Sequence, residues 1–156
     1  QAPLLSVFGG KLTTYRKLAE SAMQQLKAFF PEMQESWTAT EALPGGENME
    51  SVEQLMREIR AQVTDASEDL VKRWASAYGS RIWNILGEKS SVEQLGQHFG
   101  QGLYAREVDY LCTAEWVTTS QDVLWRRSKL GLSFTQKESE ALDAYLIVKT
   151  HSNEAA

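Results

Sequence analysis

Gly9-Gly10-Lys11-Leu12-Thr13-Thr14-Tyr15-Arg16 is the stretch around which the rest of the chain is read. Leu4, Leu5, Val7 and Phe8 lead into it, bounded by Pro3 and Gly9, and predict a short buried strand. Behind it, Tyr15, Leu18, Ala19, Ala22, Met23, Leu26, Phe29 and Phe30 recur at helical spacing along one broad apolar face. Thr13 or Thr14 is the expected N-cap and Pro31 the stop. Strand, glycine turn and helix start, in that order, let a backbone approach a phosphate or a flavin. Two glycines reach positive φ with no Cβ in the way. A helix start offers unpaired N–H groups and the positive end of its dipole. Lys11 adds a mobile cation. By itself the turn reads equally as a strand-to-helix connection with a solvated lysine. It is not the Walker pattern, which places four residues between its first glycine and its Gly-Lys pair.

A lone strand cannot satisfy its own hydrogen-bonding ladder, and no second run of similar quality follows. The strand is therefore expected to belong to a sheet outside this chain. Gln1 in first place likewise reads as a chain cut or processed from a longer protein. Glu32 to Asn48, with Pro44-Gly45-Gly46 inside it, reads as an irregular connector and a domain boundary. Beyond it the pattern is helical throughout. Ser51 opens a helix carrying Leu55, Met56, Ile59 and Val63, and Asp65 or Ser67 opens one carrying Leu70, Val71, Trp74, Ala77 and Tyr78, closed by Gly79. Arg81 to Leu86 is short. Ser90 to Glu93 starts a helix that Gly96, Gly100 and Gly102 curtail. Leu103 to Trp116 is longer, with Tyr104, Val108, Leu111 and Cys112 inward. Ser120 is the expected cap of a helix ending near Lys129. Thr135 to Glu138 opens the last helix, with Leu142, Tyr145, Leu146 and Lys149 on one side. Ser-Val-Glu-Gln-Leu occurs at residues 51–55 and 91–95, but the flanks differ, so two coincident capping boxes are favoured over a repeat.

The chain has 156 residues, enough for one ordinary domain with a core, and five Trp, five Tyr and five Phe to fill it. A net charge of −5 argues against a non-specific nucleic-acid binder and against an electrostatic grip on anionic lipid. A single cysteine, Cys112, makes no internal disulfide and no cysteine-based zinc cage. No metal site is expected, since His98 and His151 are far apart and without ligating company. No apolar run reaches the roughly 20 residues of a membrane span.

Gly9-Gly10-Lys11, two free positions, Thr14, Tyr15-Arg16, two further positions and Ala19 resemble the second signature of the FAD-dependent aerobic glycerol-3-phosphate dehydrogenases at every fixed position. The resemblance continues through Leu43-Pro44-Gly45-Gly46, Tyr78-Gly79, Glu115-Trp116-Val117 and Leu124-Trp125-Arg126-Arg127-Ser128-Lys129. It implies a mainly all-α chain. Residues 1–42 would be the last strand and helix of a truncated FAD-binding domain plus a linker, and residues 43–156 an all-helical C-terminal cap. The implied parent enzyme oxidises sn-glycerol 3-phosphate to dihydroxyacetone phosphate. It passes electrons through FAD to membrane quinone, from a peripheral position on the cytoplasmic face of the inner membrane; a homodimer is compatible with the reading. The Gly-x-Gly-x-x-Gly fingerprint is absent from this chain, so the resemblance does not imply FAD binding or turnover by the chain alone. It places Gly10, Lys11, Leu12 and Thr13 against the flavin. Lys11 would lie near the isoalloxazine and the substrate, where its charge stabilises the anionic reduced ring as hydride leaves C2. Tyr15 suits core as well as ligand, and Arg16 either anchors the helix or approaches the cofactor. The alternative from another class is a stand-alone helical module for protein interaction or dimerisation, in which the turn is only structural.

Arg126-Arg127 reads as a favourable helix-end charge with a surface ion pair rather than an anion site. Cys112 reads as inert core. Trp74, Trp83, Trp116 and Trp125 read mostly as core anchors, with room for one at a contact surface.

Overall fold

A computed structural model of the chain describes residues 3–154, and their side chains as far as residue 149. The chain divides into two compact units, Gln1–Leu43 and Pro44–Ala156.

In the first unit, Leu12–Thr14 form a 3-10 turn that runs into helix α1 (Tyr15–Leu26), and a second 3-10 turn covers Lys27–Phe29. The predicted helix is present, but none of its residues is buried. The predicted strand is absent. Residues 3–11 carry no regular structure, and Leu4 and Phe8 are 90% and 95% exposed. The physical reason is that a strand exists only through ladder partners, and the described residues of this unit supply none. The same lack of a facing layer leaves the apolar stripe of α1 in solvent, including Tyr15, Leu18 and Met23.

The second unit is built from local signals that mostly act as written. Ser51 takes extended backbone and its hydroxyl accepts from the Gln54 N–H at 3.1 Å, opening α2 (Val52–Gln62). Ser67 accepts from the Leu70 N–H and opens α3 (Glu68–Tyr78). A 3-10 turn at Gly79–Arg81 leads into α4 (Ile82–Leu86), which Gly87 stops at φ 55°. The next start is displaced by one residue: Ser91, not Ser90, caps a 3-10 turn over Val92–Leu95. What then follows is a hairpin, β1 (His98–Gly100) antiparallel to β2 (Leu103–Tyr104), with His98 opposite Tyr104 and Gly100 opposite Leu103. Gln101 and Gly102 both sit at positive φ, as a type I′ hairpin turn requires. Leu103 and Tyr104 are thus strand, and α5 starts later, at Ala105–Ala114. Thr119, rather than Ser120, opens the following helix. Its hydroxyl accepts from the Asp122 N–H, and the Asp122 carboxylate accepts in turn from the N–H groups of Thr118 and Thr119. These donors, Thr118 first, hold the Asp122 carboxyl well below the usual carboxylate range. The helix then widens into a π turn over Asp122–Arg127, closed by the Ser128 N–H and hydroxyl on the Val123 carbonyl. Thr135 and Glu138 form the reciprocal box that opens α6 (Gln136–Glu154).

One core joins these elements. Ile59 and Val63 come from α2 and the residue after it, Val71 and Trp74 from α3, Ile85 and Leu86 from α4, Val108 and Leu111 from α5, and Leu142 and Leu146 from α6. Trp74 is fully buried, whereas Trp116 is 85% exposed and held at φ 56°, so it is not the core anchor its size suggests. Cys112 is half-buried, and burial pushes its thiol pKa up, in keeping with an inert role.

A carboxylate lies inside this core. Glu107 on α5 is 1% exposed, and four donor groups from three residues of α3 converge on it. Arg73 Nη1 and Nη2 donate to its two oxygens at 2.5 and 2.8 Å, Trp74 Nε1 donates at 3.2 Å and the Tyr78 hydroxyl at 2.7 Å. Arg73 Nη2 also donates to the Gly102 carbonyl in the hairpin turn at 2.7 Å. Burial, then the Glu107 charge, drives the Tyr78 hydroxyl far above its usual pKa, so it stays a donor. Burial opposes the Arg73 charge and Glu107 more than offsets that, so the guanidinium stays charged.

The Pro44-Gly45-Gly46 segment is seated on the same unit. The Ser80 N–H donates to the Gly45 carbonyl at 2.8 Å, and the Glu47 carboxylate accepts from the Gly45 N–H at 2.5 Å. A Cβ on Gly79 would lie 1.9 Å from the Gly45 oxygen, and one on Gly45 2.5 Å from the Tyr78 oxygen. Both positions therefore need glycine for backbone contact as well as for their φ of 54° at Gly79 and 91° at Gly45.

Two outcomes follow for chemical or thermal unfolding of the chain. Glu107→Ala strands the Arg73 guanidinium among apolar side chains and lowers stability by about 3–5 kcal/mol, with Glu107→Gln losing less because it keeps an acceptor. Gly79→Ala lowers stability by more than about 2 kcal/mol, because backbone cannot move aside as a side chain can. A midpoint unchanged from wild type in either variant contradicts the corresponding contact.

Candidate functional site

The turn at Gly9–Thr14 is open. Gly9 and Gly10 have φ of 85° and 141°, and a Cβ on Gly9 would meet nothing within 4 Å. A Cβ on Gly10 would touch Leu18 Cδ2 at 3.0 Å, so its inner side rests on α1. Lys11 is extended, and its carbonyl accepts from the Thr14 N–H at 3.0 Å and the Thr14 hydroxyl at 3.3 Å. This bond occupies the hydroxyl that was expected to cap the helix. Neither the 3-10 turn nor α1 has a side-chain cap, which leaves donors at the helix start for another acceptor. Gly10, Lys11, Leu12 and Thr13 come together by adjacency and all are exposed.

Glu20, one turn further along α1, is the residue that reading the sequence missed. Its carboxylate accepts from Arg16 at 2.7 Å, Lys17 at 3.1 Å, Ser36 at 2.9 Å and Thr38 at 2.6 Å. The Thr38 hydroxyl first, then Lys17, Ser36 and Arg16, hold its carboxyl down to about 2 from an ordinary 4.5. Arg16 thus anchors the helix. The spacing of Arg16 and Lys17 from Glu20 was a legible signal; the approach of Ser36 and Thr38 was not. Of the three cations on residues 9–17, Lys11 alone has no ion-pair partner among the described residues.

The other candidates have structural work. Arg126 pairs with Asp122 at 2.7 Å, and Arg127 donates to the Glu115 carbonyl at 2.8 Å. His98 accepts from the Gly102 N–H at 3.2 Å and lies against Tyr104 with ring centres 4.8 Å apart. The side chain of His151 lies outside the described residues. Among the described residues, no three His, Cys, Asp or Glu side chains gather as metal ligands, and no helix is long and apolar enough to cross a membrane.

Residues 36–151 match the family described as the C-terminal domain of alpha-glycerophosphate oxidase. The chain belongs to that family. The chain is 56% identical over 147 residues to a glycerol-3-phosphate dehydrogenase of Pseudomonas tolaasii, covering 94% of this chain and 29% of the relative. It is 38% identical over 150 residues to the aerobic glycerol-3-phosphate dehydrogenase of Escherichia coli, covering 96% of this chain and 30% of the relative. It is 40% identical over 141 residues to the D-erythritol 1-phosphate dehydrogenase of Brucella abortus, covering 90% of this chain and 28% of the relative. The chain therefore spans under a third of the length of these relatives. A match over 96% of the chain leaves too few residues outside it to exclude the turn at Gly9–Arg16. No solved structure matches.

The turn keeps groups free for a partner that the described residues do not supply. Its outer face is bare backbone, its helix start has uncapped donors, and its lysine is unspent. The link between Glu20 and residues 36–38 is pH-dependent in a definite direction. Because the carboxyl is depressed in the folded chain, the link is complete above pH 4.5 and is lost as pH falls toward about 2. NMR signals of Ser36 and Thr38 should titrate in that window, and Glu20→Gln should abolish the transition. An identical titration in the variant would remove Glu20 from this role.

Proposed function

We propose that the chain is the C-terminal portion of a FAD-dependent dehydrogenase that oxidises sn-glycerol 3-phosphate to dihydroxyacetone phosphate and delivers the electrons to membrane quinone. The observation that carries this is an open Gly-Gly-Lys turn, with its lysine unpaired, in a chain 56% identical to a glycerol-3-phosphate dehydrogenase. Residues 1–42 belong to the flavin-binding domain and residues 43–156 form its helical cap. The bare apolar stripe of α1 and the unpaired residues 3–8 support this division, since both want a sheet to lie against. The enzyme acts peripherally at the cytoplasmic face of the inner membrane.

Gly10, Lys11, Leu12 and Thr13 would hold one face of the FAD, which when bound takes up the hydride leaving the substrate's secondary alcohol carbon. The ring would lie on the open side of the turn, where a Cβ on Gly9 would meet nothing, while Gly10 lets the backbone rest close on Leu18 of α1. The uncapped N–H groups at the start of α1 favour negative charge in front of them. Lys11 places a full positive charge on the same side and acts electrostatically as negative charge builds up there. Glu20 is no base for the alcohol proton, because four donors already occupy its carboxylate. By holding Arg16 and Lys17, it leaves Lys11 as the available cation of the turn.

In the full-length enzyme, Lys11→Ala should lower kcat with glycerol 3-phosphate by about 100-fold or more. Its flavin absorbance and melting temperature should stay unchanged. Wild-type kcat and KM in a flavin-loaded variant would overturn the assignment of Lys11.

A further inference from the structure

Two stretches of the helical unit, Glu115-Trp116-Val117 and residues 124–129, have no part in the turn at Gly9–Thr14. The fold joins them. Arg127 donates to the Glu115 carbonyl from Nη2 at 2.8 Å and from Nε at 3.2 Å, and its Nε lies 3.5 Å from the Glu115 carboxylate. Trp116 sits between this pair and the buried Val117, where the chain leaves α5. The Leu111 carbonyl accepts from the Glu115 N–H at 3.0 Å and from the Val117 N–H at 3.2 Å. The residue between them is thereby curled into left-handed backbone at φ 56°. Glycine is the usual residue in such a place, and a bulky side chain there carries strain. Asn48, Gln101 and Lys129 also have positive φ among the described residues. Asparagine tolerates that region, Gln101 turns the hairpin, and Lys129 Nζ donates back to the Trp125 carbonyl. Trp116 gives nothing back to the unit that strains it. It is 85% exposed, and among the described residues it stacks on no ring and lies under no cation. Single exposed apolar residues are ordinary on a protein surface; one that is strained and exposed at once is not.

We propose that Trp116 is the anchor by which the helical unit docks on the part of the parent polypeptide that precedes residue 1. The inference rests on the proposed function, in which this chain is the C-terminal portion of a longer enzyme. The chain covers 29% and 30% of two of its relatives, so most of each relative is polypeptide that can serve as the receiving surface. Area selects a tethered partner over a free one. An exposed indole offers about 200 Å², whereas a stable complex of separate molecules, a second copy included, buries about 800 Å² on each side. A segment of the same polypeptide meets the indole at an effective concentration in about the millimolar range, so a contact of this size suffices. The flanking charges point to an apolar receiver. Arg127 is neutralised by Glu115, and Arg126 by Asp122 at 2.7 Å. A tryptophan beside polar groups that are already paired has the make-up of an interface hot spot. Its receiver is an apolar pocket with one acceptor for the indole N–H.

Hydroxyl-radical footprinting, read at Trp116 by mass spectrometry, tests this on the 156-residue chain and on the full-length protein. Labelling of Trp116 should fall by about fivefold or more in the full-length protein, as desolvation of an anchor requires. Trp116→Gly separates docking from folding. It relieves the left-handed strain, so the 156-residue variant should melt at the same temperature as wild type or higher. The full-length variant loses its anchor and should melt about 2 °C or more below wild type. Equal labelling in the two proteins, a full-length variant that melts with wild type, or a 156-residue variant that melts below it would each overturn the proposal. So would a dimer of the 156-residue chain that Trp116→Gly dissociates, since the occupant is then a second copy. Flavin absorbance of the full-length protein is read on the same samples. Its absence counts against the proposed function, while the labelling of Trp116 still decides the docking.

Discussion

A carboxylate buried to 1% exposure survives in this fold only because four donors reach it. An unpaired charge in that position would be too costly to keep. Meeting the requirement fixes much of the architecture. Arg73, Trp74 and Tyr78 must present one side of α3 to α5, and Arg73 has a second acceptor in the Gly102 carbonyl. Two helices and the hairpin are thus held in one arrangement by groups with directional demands. The surrounding apolar contacts supply the bulk of the driving force but would tolerate several registers.

The same cluster reaches the linker. Tyr78 ends α3 with its hydroxyl on Glu107, and its carbonyl packs against Gly45. The contact of Gly79 with the Gly45 carbonyl, together with the bond from Ser80, then seats Pro44-Gly45-Gly46 on the helical unit. The Pro-Gly-Gly and Tyr-Gly elements, separate in sequence, are two sides of one contact. Glycine recurs in both because two backbones meet there with no space for a Cβ.

How far the sequence could be read follows from this. Helix starts at Ser51, Ser67 and Thr135 were legible because a cap acts within four residues. The all-α character and most of the core followed from periodicity. The hairpin was not legible: Gly100 and Gly102 look like helix breakers, and only pairing across the turn makes them otherwise. Ser91 and Thr119 took the caps expected of Ser90 and Ser120, a choice between adjacent hydroxyls that local pattern leaves open. The strand at residues 4–8 was expected from composition and is absent, because strand formation depends on a neighbour. At the candidate site the turn itself was legible, since glycine and lysine chemistry is local. Glu20 was only half legible, since two of its four donors arrive from residues 36 and 38.

Lys11 and Arg16 belong to one motif, but the structure gives them different fates. Arg16 lies within reach of Glu20 on the same helix, and its guanidinium is spent on fixing α1 to the segment after it. Lys11 stands in extended backbone before the helix begins, and the residues three and four further on, Thr14 and Tyr15, carry no carboxylate to pair with it. A carboxylate four residues after an arginine therefore does two things at once: it secures the helix and removes a competing positive charge. The charge left over is the one beside the bare glycines, at the helix end where an anionic or electron-rich group is best received. Under the proposed function, the negative group that this arrangement receives arrives from outside the described residues. It also accounts for why a tightly bonded helix start ends in a turn whose backbone and lysine are left unspent.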